Sequence, residues 1–219
     1  SIDNISLISD LPPPPPANDL CSGATPLTLN IPVGGTNMLA NNDYSITTPT
    51  AACFPGIPAT QASTAVGRDT VYSFTAPAAG LYSFRTQLSS SVGGGNLVTY
   101  LSLPAGPGYA CPAAGAQTCD ATIVGANRNV STSQWATEEV MCQSLTAGQK
   151  VYLVVDEATA TTTGGAYIVQ VNPCTRETEG NGDLGTANPI AGVCPIEGSI
   201  NPANDVDFFS LPPTTAVNR

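Results

Sequence analysis

Apolar and polar positions alternate with a period of two through much of this chain. The runs "TVYSFTA" (70–76), "GLYSFRT" (80–86), "LVTYLSL" (97–103), "EEVMCQSL" (138–145), "QKVYLVVD" (149–156) and "GAYIVQVN" (165–172) are rich in β-branched and aromatic residues. "TPLTLNI" (25–31) and "ATIVG" (121–125) add two shorter runs of the same kind. Gly, Pro and Asn bound them, and "APAAG" and "LTAG" punctuate neighbouring runs as turns do. The nearest approach to a helical period, "STSQWATEEV" (131–140), is too short to compete. About eight strands at this spacing predict an all-β domain over residues 17–174, an antiparallel sandwich or jelly roll.

The flanks read differently. Residues 1–11 alternate in part through Ile2, Ile5, Leu7 and Ile8, which predicts one orphan strand, the terminal strand of a preceding β domain. "PPPPP" at 12–16 favours polyproline II, a stiff spacer with no N–H to give a sheet. Residues 175–187, "TRETEGNGDLGTA", are polar and glycine-punctuated, as a linker is. From 188 to 219 the pattern of the large domain starts again. Setting "FSLPP" on "YSFTAP" places Phe208, Phe209 and Leu211 where Val71, Tyr72 and Phe74 stand, so this stretch reads as an incomplete second module.

Composition then removes classes of function. Hydrophobic residues make up 42% of the chain and charged ones 10%, which fits a packed core and excludes a charge-solvated disordered chain. A net charge of −10 opposes binding to nucleic acid, whose affinity is built from Lys and Arg on phosphate, and to anionic membranes. No apolar run is long enough to cross a bilayer as a helix, and the first residues lack a signal-peptide pattern.

Seven cysteines occur with no C-x-x-C and no histidine in the chain, which speaks for disulfides formed in an oxidising compartment and against zinc. Six of them, Cys21, Cys53, Cys111, Cys119, Cys142 and Cys174, fall within one domain. They allow 15 pairings. Pairing along the chain gives Cys21–Cys53, Cys111–Cys119 around the short "CPAAGAQTC" loop, and Cys142–Cys174. Cys194 is left over in the incomplete module, its partner expected beyond Arg219.

The stretches "ANDLCSGATPLTL", "GRDTVYSFTAPAAGLYSFRT", "LTAGQKVYLVVDEA" and "GAYIVQV" together resemble the bacterial pre-peptidase C-terminal domain family, over roughly residues 17–174. "TRETEGNGDLGTANPI" followed by "GSINPANDVDFFSL" is similar to the opening of a second member. The resemblance implies a jelly-roll-like sandwich serving as an accessory module of secreted enzymes and large surface proteins, often in tandem. It also implies calcium near the start of the domain in some members. Two stretches depart from the family pattern: "NNDYSITTPTAACFPGIPATQASTAV" (41–66) and the tryptophan-bearing loop "NRNVSTSQWATEE" (127–139). "IDNISLI", in turn, resembles the last strand of another family of secreted jelly-roll domains.

Catalytic constellations are scarce. Without histidine the Ser-His, Cys-His and His-metal arrangements cannot form within the chain. Lys150, the lone lysine, has no supporting motif. Glu138 and Glu139 point to opposite faces of a strand, and Asp205 with Asp207 share a face but no evident cleft. Oxygen ligands for Ca²⁺ are the better chemistry. Asn18, Asp19 and Asp69 are the candidates in the complete module; Glu177, Asp183, Asp205 and Asp207 are those in the second. Each has a plainer alternative in Asx turns and strand-entry caps. Tyr72, Phe74, Tyr82, Phe84 and Tyr152 alternate along strands and are expected inside, leaving Trp135, Tyr44 and Tyr109 as candidate ligand-stacking rings. Asn4 and Asn129 fit the glycosylation acceptor pattern.

The expectation is a non-catalytic structural or adhesive module of a secreted or cell-surface multidomain protein. Its partners would be neighbouring domains or other copies of itself, joined in part by strand addition into a filament. The alternative is an accessory module that targets a secreted hydrolase to an extracellular polymer, a protein fibre or carbohydrate.

Overall fold

A computed structural model describes residues 13–54, 64–89, 96–106, 108–126, 137–161, 164–190, 195–200, 202 and 205–211. The strand expected at 2–8, Trp135, Cys194, Asn4 and Asn129 lie outside these residues. The structure is all-β, with a single 3₁₀ turn at Cys21–Gly23 and no α-helix among the described residues.

Two sheets form the body. The first contains β1 (Thr25–Pro26), β4 (Thr70–Thr75), β6 (Leu97–Ser102), β8 (Ile123–Ala126) and β10 (Lys150–Glu157), in the order β1-β4-β10-β6-β8. The second contains β2 (Val33–Thr36), β5 (Gly80–Leu88), β9 (Thr137–Leu145) and β11 (Ala166–Pro173), in the order β2-β11-β5-β9. Every ladder in both sheets is antiparallel except β1 on β4. That pair is parallel because the chain makes a long excursion between Pro26 and Thr70, and no hairpin fixes its direction. The expected strand at 25–31 is correspondingly broken: Asn30 takes φ 64°, and pairing resumes only at Val33.

The inner faces meet through Tyr72, Phe74, Leu101, Leu153 and Val155 on one side and Tyr82, Phe84, Val140, Tyr167 and Val169 on the other. Phe74 holds the two layers together edge-on, its ring centroid 5.2 Å from Tyr82 and 5.6 Å from Phe84. The second sheet alternates buried and accessible positions, as a sheet with one wet face does.

The first sheet does not alternate. β4, β6 and β10 are buried at nearly every position. Val71, Val98, Tyr100, Tyr152 and Val154 on its outer face pack under Tyr44, Ile46, Cys53, Phe54 and Ala65. The stretch 41–66, one of the two that depart from the family pattern, therefore supplies a covering layer through its described residues. It is pinned by β3 (Tyr44–Ser45) pairing with β7 (Gly115–Ala116) and by the Ile46–Ala65 bridge.

Disulfides fasten this layer. Cys21 bonds Cys111 and Cys53 bonds Cys119, which corrects the expected Cys21–Cys53 and Cys111–Cys119 pairs; Cys142 bonds Cys174. The reason is the β3–β7 ladder. It stretches the 111–119 loop along the cover, so Cys111 arrives beside Cys21 (Cα–Cα 5.8 Å) and Cys119 beside Cys53 (5.0 Å).

Gly125 shows how closely cover and sheet fit. A Cβ there would stand 2.5 Å from the fully buried Phe54 ring, and the Gly125 amide donates to Cys53 O. Gly125→Ala should cost about 1–3 kcal/mol by overpacking, read from chemical denaturation. An unchanged midpoint would mean that Phe54 does not rest on β8.

Beyond Pro173 the described residues form four short strands: β12 (Thr175–Arg176), β13 (Asn188–Pro189), β14 (Ile196–Glu197) and β15 (Phe209–Ser210). β12 pairs with β14 and β13 with β15, both in parallel. Residues 175–176, expected as part of a tether, thus carry ladder bonds, and Arg176 also donates to Cys142 O and pairs with Glu197.

The β13–β15 ladder repeats β1–β4. Thr25 faces Tyr72 as Asn188 faces Phe209, and Pro26 faces Ser73 as Pro189 faces Ser210. Outside the ladder, Val71 N–H donates to Asn18 O (2.8 Å) as Phe208 N–H donates to Asn181 O (3.0 Å). Leu27 N–H donates to Ser73 O (2.8 Å) as Ile190 N–H donates to Ser210 O (2.9 Å). All these pairs hold one constant offset on each strand.

Candidate cation sites

Carboxylates gather in two places, each where an early segment crosses the entry to a later strand. The first is where Asn18 and Asp19 pass the start of β4. Asn18 is consumed by the fold: its carbonyl takes Val71 N–H and its side-chain amide donates to Val71 O. Asp19 accepts from Asn41, one bond each from backbone and side-chain N–H at 2.7 Å. Asp69 is fully buried, and its Oδ2 accepts the N–H groups of Asp43 (2.8 Å) and Tyr44 (2.9 Å).

What remains is an excess of buried acceptors. Asp69 Oδ1, Asp43 Oδ2 and Asp156 Oδ2 are buried with no hydrogen-bond partner, and so is Tyr100 Oη. Burial pushes Asp69 up to about 7 in spite of its two N–H donors, with the Asp43 and Asp19 charges adding to the effect. Asp43 is raised by burial and by Asp19. Asp156 is raised well above the usual carboxylate range by burial and by Asp69. Such a set holds its negative charge only if protons or a cation neutralise it.

Near β15 the carboxylates of Glu179, Asp205 and Asp207 offer ligand atoms within 4.8 Å of one another. Glu177 lies alongside, accepting from Asn181 Nδ2 (2.8 Å) and Ser199 N–H (2.7 Å), which together hold it below its ordinary range. Asp207 is raised by burial, by its contact with Glu177 and by the surrounding acids. Two buried oxygens here lack partners: Asp207 Oδ1, and Oδ1 of Asn181, whose side chain is 1% exposed. The hard oxygen donors of the Glu179, Asp205 and Asp207 group suit Ca²⁺; among the described residues it is the one acid group whose ligand atoms converge this closely.

Sequence reasoning placed Asp19, Asp69, Glu177, Asp205 and Asp207 in these clusters, and Asn18 beside the first. Asp183 is a correction. It is not among the acids whose ligand atoms converge, and its Oδ1 caps its own turn, accepting from Gly185 N–H (2.7 Å) and Thr186 N–H (3.0 Å). Asp43, Asp156, Glu179 and Asn181 were missed. The signal for Glu179 was its spacing of two from Glu177, which puts both on one face of an extended segment; Asn181 was readable as the repeat of Asn18.

Among the stacking candidates, Tyr44 is corrected. It is 2% exposed, and its hydroxyl accepts the Cys21 N–H at 2.9 Å, so it offers no ring face to a ligand. Tyr109 is half-buried, its carbonyl accepting the Tyr152 hydroxyl at 3.0 Å. Lys150 Nζ stands 5.0 Å over the Tyr152 ring, a cation–π contact.

No family model matches the chain, and no curated protein does. Among solved structures it is similar to the pre-peptidase C-terminal domain of a collagenase from Bacillus anthracis, at 15% identity and a TM-score of 0.34, over 68% of this chain and 93% of that one.

Proposed function

We propose that this chain is a non-catalytic structural or adhesive module of a secreted or cell-surface multidomain protein, built from one complete sandwich and the opening of a second. The observation that carries the reading is the repeated ladder: β13–β15 reproduces the hydrogen bonds of β1–β4 pair for pair. Three disulfides fit an extracellular setting. Calcium at the two carboxylate clusters would be structural in this account: it would neutralise oxygens that are otherwise buried without partners and so stiffen each module's entry. Asp19, Asp43 and Asp69 would hold it in the first module, and Glu177, Glu179, Asp205 and Asp207 in the second. Assembly with other chains would use strand addition.

A second reading, substrate targeting for a secreted hydrolase, draws on the polar, accessible face of the second sheet. Pull-down of the full chain on insoluble protein fibres and polysaccharides, with calcium and with chelator, separates the two. The structural reading expects no retention on any polymer in either condition. Retention lost on Trp135→Ala would establish targeting instead.

A further inference from the structure

The three disulfides fix how a pull on this chain would travel. The chain enters the sandwich at the start of β4, where the Asn18 carbonyl takes Val71 N–H, and Cys21 follows three residues later. It leaves at the start of β5, where Cys174 N–H donates to Leu81 O. A short turn joins the end of β4 to the start of β5, so the two strand starts lie at opposite ends of the sandwich. The six residues of β4 between them span about 20 Å. A pull on entry and exit therefore runs along the strands, across ladder bonds that lie perpendicular to it and must yield together.

Covalent connectivity decides which strands carry that pull. Cys21–Cys111 bypasses a sequence separation of 90, which contains β1 to β6. Cys142–Cys174 bypasses one of 32, which contains β10 and β11. Of the 153 residue steps from Cys21 to Cys174, only the 31 from Cys111 to Cys142 remain in the direct covalent path. The sheet strands on that path, β8 and most of β9, stand at the edges of their sheets; the central β4, β10, β6, β11 and β5 all lie in bypassed loops. Cys53–Cys119 is a reserve. Without Cys21–Cys111 the path would run from Cys21 to Cys53 and on from Cys119 to Cys142, 55 steps.

We propose that the first module is a tension-bearing link, in which the disulfides carry load past the central strands and limit how far the module can extend. The proposal deepens the structural role given above and rests on it. Fully stretched, the segment from Cys21 to Cys174 would reach about 500–550 Å without the bonds and about 110–120 Å with them. An overloaded module therefore lengthens little, and it closes again from a chain that is still cross-linked.

The test is single-molecule stretching of the full oxidised chain, held by its two termini. Residues outside Cys21–Cys174 are common to all variants, so differences in fully stretched length isolate the bypasses, whether or not a variant folds. Cys142→Ser with Cys174→Ser should lengthen the stretched chain by about 110 Å, for a bypass of 32. Cys21→Ser with Cys111→Ser should add only about 80 Å, because Cys53–Cys119 takes over. Cys53→Ser with Cys119→Ser should add nothing. At lower loads the oxidised wild-type module should open in one rise that recurs on every cycle of relaxation and pulling. Lengths out of this order overturn the bypass. Smooth extension with no rise overturns the tension-bearing role. Either result leaves the structural reading standing; that reading falls on a different observation, polymer retention lost on Trp135→Ala.

Discussion

Replacing Cys53 and Cys119 together by serine should lower the unfolding free energy by about 2–5 kcal/mol. The bond closes a sequence separation of 66, and Cys21–Cys111 one of 90. In the chain-entropy view each constrains the unfolded state by about 4–5 kcal/mol, against roughly 2–3 for a loop as short as 111–119. The loss should also have a location. Phe54, Ile46 and Tyr44 rest on β6, β8 and β10 through the segment that Cys53 anchors, so the cover should open before the sandwich does. Limited proteolysis of the double variant should cut within 41–66 while β5, β9 and β11 stay protected. Cleavage spread evenly over the chain would show that the cover is not a separable layer.

Raising the pH should destabilise the calcium-free protein, and calcium should reverse this. Asp69 and Glu157 are fully buried and pushed up to about 7 from ordinary values of 3.8 and 4.5, in both cases chiefly by burial. Both bind a proton more tightly folded than unfolded. Their contribution is complete below the unfolded carboxylate range and is lost as pH rises through about 7. The slope between these limits has an upper bound of about 1.4 kcal/mol per pH unit for each group. Asp69→Asn should flatten the fall, since an amide keeps an oxygen for the Asp43 and Tyr44 N–H groups and carries no charge. On the proposed calcium reading the ion favours the ionised form of Asp69, so at pH 8 a concentration of 100 times Kd should add about 2.7 kcal/mol. That gain should vanish in Asp69→Asn. Thermal unfolding from pH 4 to 8, in chelator and in calcium, reads both effects; a flat or rising profile in chelator contradicts the buried-acid account.

The long strands were legible because their β-branched and aromatic runs, bounded by turn residues, are local: β4, β5, β6, β9, β10 and β11 lie within a residue or two of the predicted runs. What failed was long-range. The 41–66 stretch is rich in Thr, Ala and Pro and reads as a loop, since its burial depends on a sheet face that only the fold creates. The near-continuous burial of β10 was written in "VYLVV", which has no polar alternate and so announces a strand covered on both faces. Cysteine pairing could not be read from spacing because the β3–β7 ladder decides it. The acid clusters were half legible. Asp19 and Asp69 stood out, whereas Asp43 and Asp156 join them only through folding, and Asp183 misled because its local turn satisfies it. The two clusters are not residue-for-residue repeats: in the constant offset Glu177 and Glu179 fall on Pro14 and Pro16, and Asp207 falls on Thr70.

The modular account depends most on residues 177–211 beginning a second sandwich, and amide exchange of the unliganded chain tests that directly. The Asn188, Ile190 and Phe208 amides should be protected together, at a level below the β4–β10 amides. Exchange of all three at unstructured rates would contradict it.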